Sequence, residues 1–131
     1  LQAQERRSKE ERIQALKVAF ITEELNLTPE QSQGFWPLYN ELQDKLKELR
    51  KNRIKRLNLE ELSDAELETL LENHLKTEDE RVALNRTYVE RFKKVITIRQ
   101  VLKLTQSEHR FRKELLQRAK ERREGGGGRR R

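Results

Sequence analysis

One five-residue segment, Leu27-Thr28-Pro29-Glu30-Gln31, constrains the fold more than any other part of the sequence because it encodes a helix start. The Thr28 hydroxyl can accept a hydrogen bond from an unpaired amide of the first helical turn, and Gln31 can reach back to the Thr28 amide. Pro29 falls at the first helical position, where its missing N–H costs nothing and its fixed φ is already helical. These residues predict an abrupt corner between two helices.

Three other segments carry the same kind of signal. Ile96-Thr97-Ile98-Arg99-Gln100 is a weaker copy of the first corner, and Ser63 with Glu66 and Ser8 with Glu11 complete the Ser-x-x-Glu pattern of a capping box. We therefore predict four helices. The first runs from Ser8 to a stop at Asn26, the second from Pro29 to Leu57, the third from Ser63 to about Val95, and the fourth from Thr97 to a stop at Gly125.

The composition indicates how these helices pack. Charged residues make up 40% of the 131 residues and hydrophobic ones only 33%, which favours narrow apolar stripes on long amphipathic helices over a thick core or a sheet. We expect an all-α chain of four helices in an elongated, bent hairpin arrangement. Such a thin chain covers its stripes poorly when alone, so we expect a homodimer.

The stripe of each helix follows from its spacing. The stripe of the first helix comprises Ile13, Leu16, Phe20 and Leu25, and that of the fourth comprises Val101, Leu104, Phe111, Leu115 and Ala119. The stripe of the second helix comprises Phe35, Tyr39, Leu42, Leu46, Leu49, Arg53 and Leu57, with Arg53 as one basic interruption. The third helix has Leu67, Leu71, Leu75, Glu78, Val82, Asn85, Val89 and Phe92. Its polar members indicate a face toward water, a groove or the basic side chains of a partner. Pro37 predicts a kink in the second helix, the alternative being a break at Trp36.

Charge is unevenly distributed. Residues 41–56 carry seven basic and three acidic side chains, residues 60–80 carry nine acidic side chains and Lys76, and residues 118–131 carry seven basic and two acidic side chains. The basic tail permits nucleic-acid binding, but no recognised motif or stacking platform supports it, so we expect no specific nucleic acid. No run of about 20 apolar residues is present, and we expect no membrane insertion.

Both corners resemble the LTxxQ motif of the Spy/CpxP family of bacterial periplasmic proteins, with Ile96 in place of Leu in the second. Three further segments are similar to a Spy-like branch described as refolding chaperones or sigma-factor sensors: Phe35-Trp36-Pro37-Leu38-Tyr39-Asn40, Val101-Leu102-Lys103-Leu104 and Phe111-Arg112-Lys113-Glu114-Leu115-Leu116. The resemblance covers a single domain over about residues 8–123. We expect residues 1–7 to be disordered and residues 124–131 to form a flexible Gly/Arg tail.

The resemblance implies an antiparallel, cradle-shaped dimer in the periplasm, with a signal peptide removed upstream of Leu1. It also implies an ATP-independent chaperone that binds unfolded or partly folded clients on a concave basic and apolar face. The alternative is a CpxP-like regulator of an envelope-stress sensor or sigma-factor system, in which a membrane stress sensor is the partner. The motif residues are Leu27, Thr28, Gln31, Ile96, Thr97 and Gln100, for which capping predicts a structural role.

For client binding we select a basic stretch interleaved with apolar side chains. Its basic members are Lys45, Lys47, Arg50, Lys51, Arg53, Lys55 and Arg56, and its apolar members are Leu46, Leu49, Ile54 and Leu57. Long basic side chains offer a charge and an apolar stem to clients that carry carboxylates and apolar groups. The alternative is a solvated face, or a face that pairs with the acidic residues 60–80.

Catalytic, metal and cofactor sites have no support in the sequence. No nucleophile–base pattern or phosphate-binding glycine loop is present, and we expect no enzyme activity and no cofactor. The candidate metal ligands are His74 with Glu78, one turn further on, and His109 with the adjacent Glu108. Without Cys or Met they make a poor set, so we expect no metal.

Overall fold

The computed structural model describes residues 2–51, 54 and 57–128. Every regular element in this part of the chain is helical, which confirms the predicted all-α class. Helix α1 spans Gln2–Leu25, α2 spans Pro29–Arg50, α3 spans Asp64–Phe92 and α4 spans Ile98–Gly128. A short 3-10 helix over Leu59–Glu61 leads into α3.

The predicted end of α1 at Asn26 and the predicted capping box of α3 both form. Asn26 ends α1 in the left-handed region at φ 50°, a conformation that Asn tolerates better than most residues. Ser63 caps α3 in a complete capping box, in which its hydroxyl accepts from the Glu66 amide at 3.2 Å and its own amide donates to the Glu66 carboxylate at 3.2 Å. Helix α2 continues through Pro37, so the alternative break at Trp36 is wrong.

Two predicted helix bounds at the chain ends are wrong. Helix α1 begins at Gln2 and not at Ser8, because the residues before Ser8 are mostly good helix formers that let the helix extend past the Ser8 signal. Helix α4 continues to Gly128 and does not stop at Gly125. Glycine disfavours an α-helix by about 1 kcal/mol relative to alanine but leaves the backbone hydrogen bonds intact, so a glycine run weakens a helix without forbidding it.

The predicted ends of α2 and α3 are also wrong. Helix α2 ends at Arg50 and not near Leu57. Four of the next six residues are basic, and like charges three or four positions apart oppose continuation. Helix α3 ends at Phe92, and residues 93–95 form a turn ahead of Thr97. The two lysines of this turn lie where the helix dipole favours positive charge.

The chain forms two compact units. The terminal unit comprises Leu1–Ser32 and Ile98–Arg131. In it α1 packs against α4, and the buried side chains are Ile21, Leu25, Leu104, Ser107 and Phe111. The rings of Phe20 and Phe111 lie 5.7 Å apart. At the surface an Arg110 nitrogen lies 3.0 Å from a carboxylate oxygen of Glu24.

The central unit comprises Gln33–Thr97. Its core is aromatic: the rings of Phe35 and Phe92 lie 5.2 Å apart, those of Phe35 and Tyr39 lie 5.5 Å apart, and Trp36 contacts both α2 aromatic rings edge-on. Leu42 and Tyr88 are buried as well. The stripe predicted for α2 therefore faces the core along its first half, whereas Leu46 and Leu49 are half-buried.

Half of the residues in the stripe predicted for α3 face solvent. Only Phe92 of that stripe is buried, and four of its apolar side chains are 36–51% exposed: Leu71, Leu75, Val82 and Val89. The inward face of α3 carries a second stripe with Leu70, Leu84 and Tyr88. Helix α3 thus carries apolar side chains on two sides, and the described part of the chain covers one of them.

Gly34 marks a close approach in the central unit. A Cβ added there would lie 2.8 Å from Cγ1 of Val95, a stiff β-branched side chain. We predict that Gly34→Ala lowers the free energy of unfolding by about 1 kcal/mol, because overpacking of about 1–3 kcal/mol exceeds the gain in helix propensity of about 1 kcal/mol. In a Val95→Ala background the same substitution should stabilise. Urea titrations of the four variants measure this change of sign, and a Gly34→Ala effect that is equal in both backgrounds would contradict it.

Candidate functional site

The first corner has the geometry that its sequence predicts. The Gln31 amide donates to the Thr28 hydroxyl at 3.1 Å, and the Thr28 amide donates to the Gln31 side-chain oxygen at 3.2 Å. Two of the amides that a helix start leaves without an intrahelical partner are thereby satisfied. Leu27 is half-buried beside the cap.

The two motif glutamines bind each other, although 69 positions separate them in the sequence. The Gln31 side-chain NH2 donates to the Gln100 oxygen at 2.9 Å, and the Gln100 NH2 donates to the Gln31 oxygen at 3.0 Å. The Gln100 NH2 also donates to the backbone carbonyl of Leu25 at 3.0 Å. One side-chain pair therefore ties together the end of α1, the start of α2 and the start of α4.

The second corner provides Gln100 to this network. Thr97 directly precedes α4, at the position that its sequence predicts, and Ile96 is buried. At the first corner the hydrogen bonds of Thr28 and Gln31 agree with the capping hypothesis, whereas the cap expected at Thr97 stays a prediction. The pairing of Gln31 with Gln100 was not predicted, because capping is a local pattern and gives no information about contacts between distant residues.

The predicted client-binding stretch lies at the end of α2 and beyond it. Lys45, Lys47, Arg50 and Lys51 are exposed, Leu46, Leu49 and Ile54 are half-buried, and Leu57 is 50% exposed. Arg53, Lys55 and Arg56 lie outside the described residues. Two of the lysines form local ion pairs, Lys45 with Glu41 and Lys51 with Glu48. The described part of the stretch thus presents cations and apolar side chains side by side.

Lys45 also belongs to a cluster on the central unit that sequence reasoning missed. Lys45 Nζ lies over the Tyr88 ring at 5.3 Å from its centroid, and Arg91 Cζ lies over the same ring at 4.8 Å. One oxygen of Glu41 lies 3.5 Å from Lys45 Nζ and 3.8 Å from an Arg91 nitrogen. The i,i+4 spacing of Glu41 and Lys45 was readable in the sequence, whereas their contacts with α3 were not.

The groups in this cluster stabilise the ionised forms of Glu41 and Lys45. The nearby Tyr88 hydroxyl is the main cause that lowers the pKa of Glu41 below 4.5, and the positive charges of Lys45 and Arg91 add to this effect. Tyr88 is likewise the main cause that raises the pKa of Lys45 above 10.5, and Glu41 adds to that effect. Both ionised forms are therefore favoured at neutral pH.

A small cleft opens on the terminal unit between α1 and α4. Its volume is about 70 Å³, and it is lined by Leu16, Phe20, Phe111, Glu114, Leu115 and Arg118. Small-molecule pockets are several times larger, about 300–1,000 Å³. The cleft is large enough for a single apolar side chain at most.

The histidines do not lie in a metal-binding cluster. His74 is half-buried on α3 and His109 is exposed on α4. In the described part of the chain, no group of three or more His, Cys, Asp or Glu side chains is arranged to hold a metal ion.

No helix among the described residues has the length and apolar character needed to cross a lipid bilayer. Compared with protein-family models, with curated proteins and with solved structures, the sequence and its fold match none of them. Membership of the Spy/CpxP family therefore stays a prediction that depends on the motif residues.

The glutamine pair yields a sharp stability prediction. We predict that Gln100→Glu lowers the free energy of unfolding by about 2–3 kcal/mol, because a carboxylate cannot donate to the Leu25 carbonyl or to the Gln31 oxygen and places its negative charge against both acceptors. The exposed Gln106 on α4 gives the matched control, since Gln106→Glu makes the same chemical change and should shift stability by no more than about 0.5 kcal/mol. Equal effects in thermal or urea unfolding would show that the pair does not stabilise the corner.

Proposed function

We propose that this chain is an ATP-independent chaperone that holds unfolded or partly folded clients on a surface of mixed basic and apolar side chains. The observation that carries the proposal is the end of α2. There the exposed cations Lys47 and Arg50 alternate with the half-buried Leu46 and Leu49, and the half-exposed Leu57 follows in sequence.

Such a surface suits a ligand without fixed structure. Unfolded clients present apolar side chains and carboxylates in no constant order, so a binding surface gains from groups that adapt without a fixed register. Positive charge speeds the encounter with acidic segments, and the apolar stems of Lys and Arg then contact apolar groups. A small-molecule site would need a deeper and more enclosed cavity than the cleft on the terminal unit.

Exposed apolar side chains elsewhere support the same proposal. Several lie outside α2 and α3 and are 45–72% exposed: Leu16, Leu59, Ile98, Leu102 and Leu116. Single exposed apolar residues are normal in proteins, but their number in a chain with 33% hydrophobic residues is high. They add contact sites for clients.

The proposal includes a dimer in which α3 pairs with α3 of a second copy. Leu71, Leu75, Glu78, Val82, Asn85 and Val89 alternate in steps of four and three, the spacing of a coiled-coil seam. The four apolar members are exposed in the described chain. A second α3 would bury them, and a polar residue such as Asn85 within a seam helps to fix its register.

The charge pattern favours an antiparallel pairing. The first half of α3 is acidic, whereas residues 81–94 carry five basic side chains and Glu90. Only an antiparallel arrangement places the acidic half of one copy against the basic half of the other. The seam is also symmetric about residue 80, so that Leu71 faces Val89, Leu75 faces Asn85 and Glu78 faces Val82 of the second copy. In this register Glu72 of each copy lies near Arg86 of the other, which gives two attractive pairs. The Asp79 side chains of the two copies lie near each other and give one repulsive pair.

The remaining parts of the proposal come from the resemblance to the Spy/CpxP family. They are the bent hairpin, the cradle-shaped dimer with a concave client surface, and the periplasm as the compartment. The LTxxQ-like corners and their glutamine pair are the residues that support them.

Suppression of aggregation tests the chaperone proposal. A few-fold excess of the protein, without ATP, should suppress light scattering by an aggregating client. We predict that Lys47→Gln with Arg50→Gln weakens this suppression severalfold, because the surface loses two cations beside its apolar residues. The control, Arg112→Gln with Lys113→Gln, removes the same charge from exposed positions on α4 and should retain activity. No suppression by the unmodified protein would contradict the proposal.

A charge exchange tests the dimer. We predict that Glu72→Arg or Arg86→Glu alone weakens the dimer about tenfold, because two attractive pairs become repulsive, and that the double exchange restores it. Glu80→Arg makes the same charge change on the outer side of α3 and serves as the control. Sedimentation equilibrium gives the dissociation constants. If the double exchange fails to rescue the single variants, the antiparallel register is wrong.

A further inference from the structure

The cluster of Glu41, Lys45, Tyr88 and Arg91 on the central unit has the composition of a carboxylate-binding site. Both cations lie over the Tyr88 ring within 5.3 Å of its centroid, close enough for a cation–π interaction that restrains each long side chain. Lys45 and Arg91 are 51% and 47% exposed, so an acidic group arriving from solvent can reach them.

The Glu41 carboxylate, which lies near both Lys45 and Arg91, is held loosely. Glu41 approaches Lys45 and Arg91 with the same oxygen, at 3.5 and 3.8 Å. A charge-assisted N–H···O hydrogen bond is shorter, about 2.7–2.9 Å, and arginine can bind a carboxylate through two parallel hydrogen bonds. The Glu41 side chain is itself 48% exposed. Its displacement therefore breaks no close contact with either cation.

The third polar group in the cluster is the hydroxyl of Tyr88. The Tyr88 side chain is 1% exposed, and its hydroxyl has no hydrogen-bond partner among the described residues. A buried hydroxyl without a partner is unfavourable by about 1–3 kcal/mol. Glu41 and Lys45 are polar groups near this hydroxyl. The Glu41 oxygen that lies near both cations makes no hydrogen bond with this hydroxyl, so the donor stays unsatisfied among the described residues.

We infer that Lys45, Arg91 and the Tyr88 hydroxyl form a site for an acidic side chain of a client, and that Glu41 occupies this site until a client displaces it. The inference rests on the proposed function, because it assigns one anchoring contact within client binding. Glu41 then acts as an internal competitor. It pairs with Lys45 and Arg91 in the free protein, so a client segment binds there only when its acidic side chains displace Glu41.

Peptide binding tests the inference. The probes are an unstructured, fluorescently labelled Gly/Ser peptide with three Glu residues and the same peptide with Gln in their place. We expect Glu41→Gln to tighten binding of the Glu peptide about three- to fivefold and to leave the Gln peptide unchanged. Glu90→Gln is the matched control, because Glu90 is an exposed α3 carboxylate paired with Lys93, and neither residue belongs to the cluster or to the proposed client-binding stretch. Equal tightening by both variants would overturn the inference and leave only an effect of net charge.

Two variants in the Glu41→Gln background identify the ligand groups. Arg91→Gln should abolish the gain in affinity for the Glu peptide. Tyr88→Phe retains the ring and removes an unpartnered hydroxyl, so it should fold at least as stably and reduce the gain. If Tyr88→Phe leaves the gain unchanged, the hydroxyl is not part of the site. Two combined outcomes separate this inference from the chaperone proposal. If the unmodified protein suppresses aggregation but Glu41→Gln has no selective effect on binding of the Glu peptide, only this inference is overturned. If Glu41→Gln selectively tightens binding of the Glu peptide but the unmodified protein does not suppress aggregation, only the chaperone proposal is overturned.

Discussion

The reciprocal hydrogen bonds between Gln31 and Gln100 are the interaction on which the terminal unit depends. A chain with few apolar residues has little hydrophobic burial with which to fix the directions of its helices. The two amide groups provide directional contacts that burial does not supply. They join the starts of α2 and α4 and also reach the last carbonyl of α1 at Leu25. Because each amide both donates and accepts, no other pair of side chains of this size gives the same set of hydrogen bonds.

The limited core has a second consequence, which concerns function. The central unit buries a compact aromatic group around Phe35, Tyr39 and Phe92, and it leaves apolar side chains of α3 exposed. Exposed apolar groups favour aggregation unless charges separate them. Here basic residues lie among the apolar ones at the end of α2, and charged residues flank the seam of α3. Under the proposed function, these exposed apolar groups are the ones that contact a client or a second copy.

The sequence predicted the local features of this fold and missed the contacts between distant segments. The Thr28 and Ser63 caps, the end of α1 at Asn26 and the core positions of Phe35 and Tyr39 follow from patterns within a few residues. The outward face of α3 was ambiguous, because two apolar stripes run along one helix and spacing alone cannot tell which one packs inside. Tyr88 lies on the second stripe, and its contact with Lys45 depends on the packing of α2 on α3, whereas its contact with Arg91, three residues further along α3, is local.

Residue-level mapping of a bound client tests the central claim most directly. Amide resonances of the isotope-labelled protein can be followed during titration with a permanently unfolded client, without ATP. The account predicts that shifts and line broadening concentrate over residues 45–57 and their neighbours on α3, and that the exposed residues 8–12 within α1 stay unaffected. Changes that are absent from the end of α2, or equal in both regions, would contradict the account.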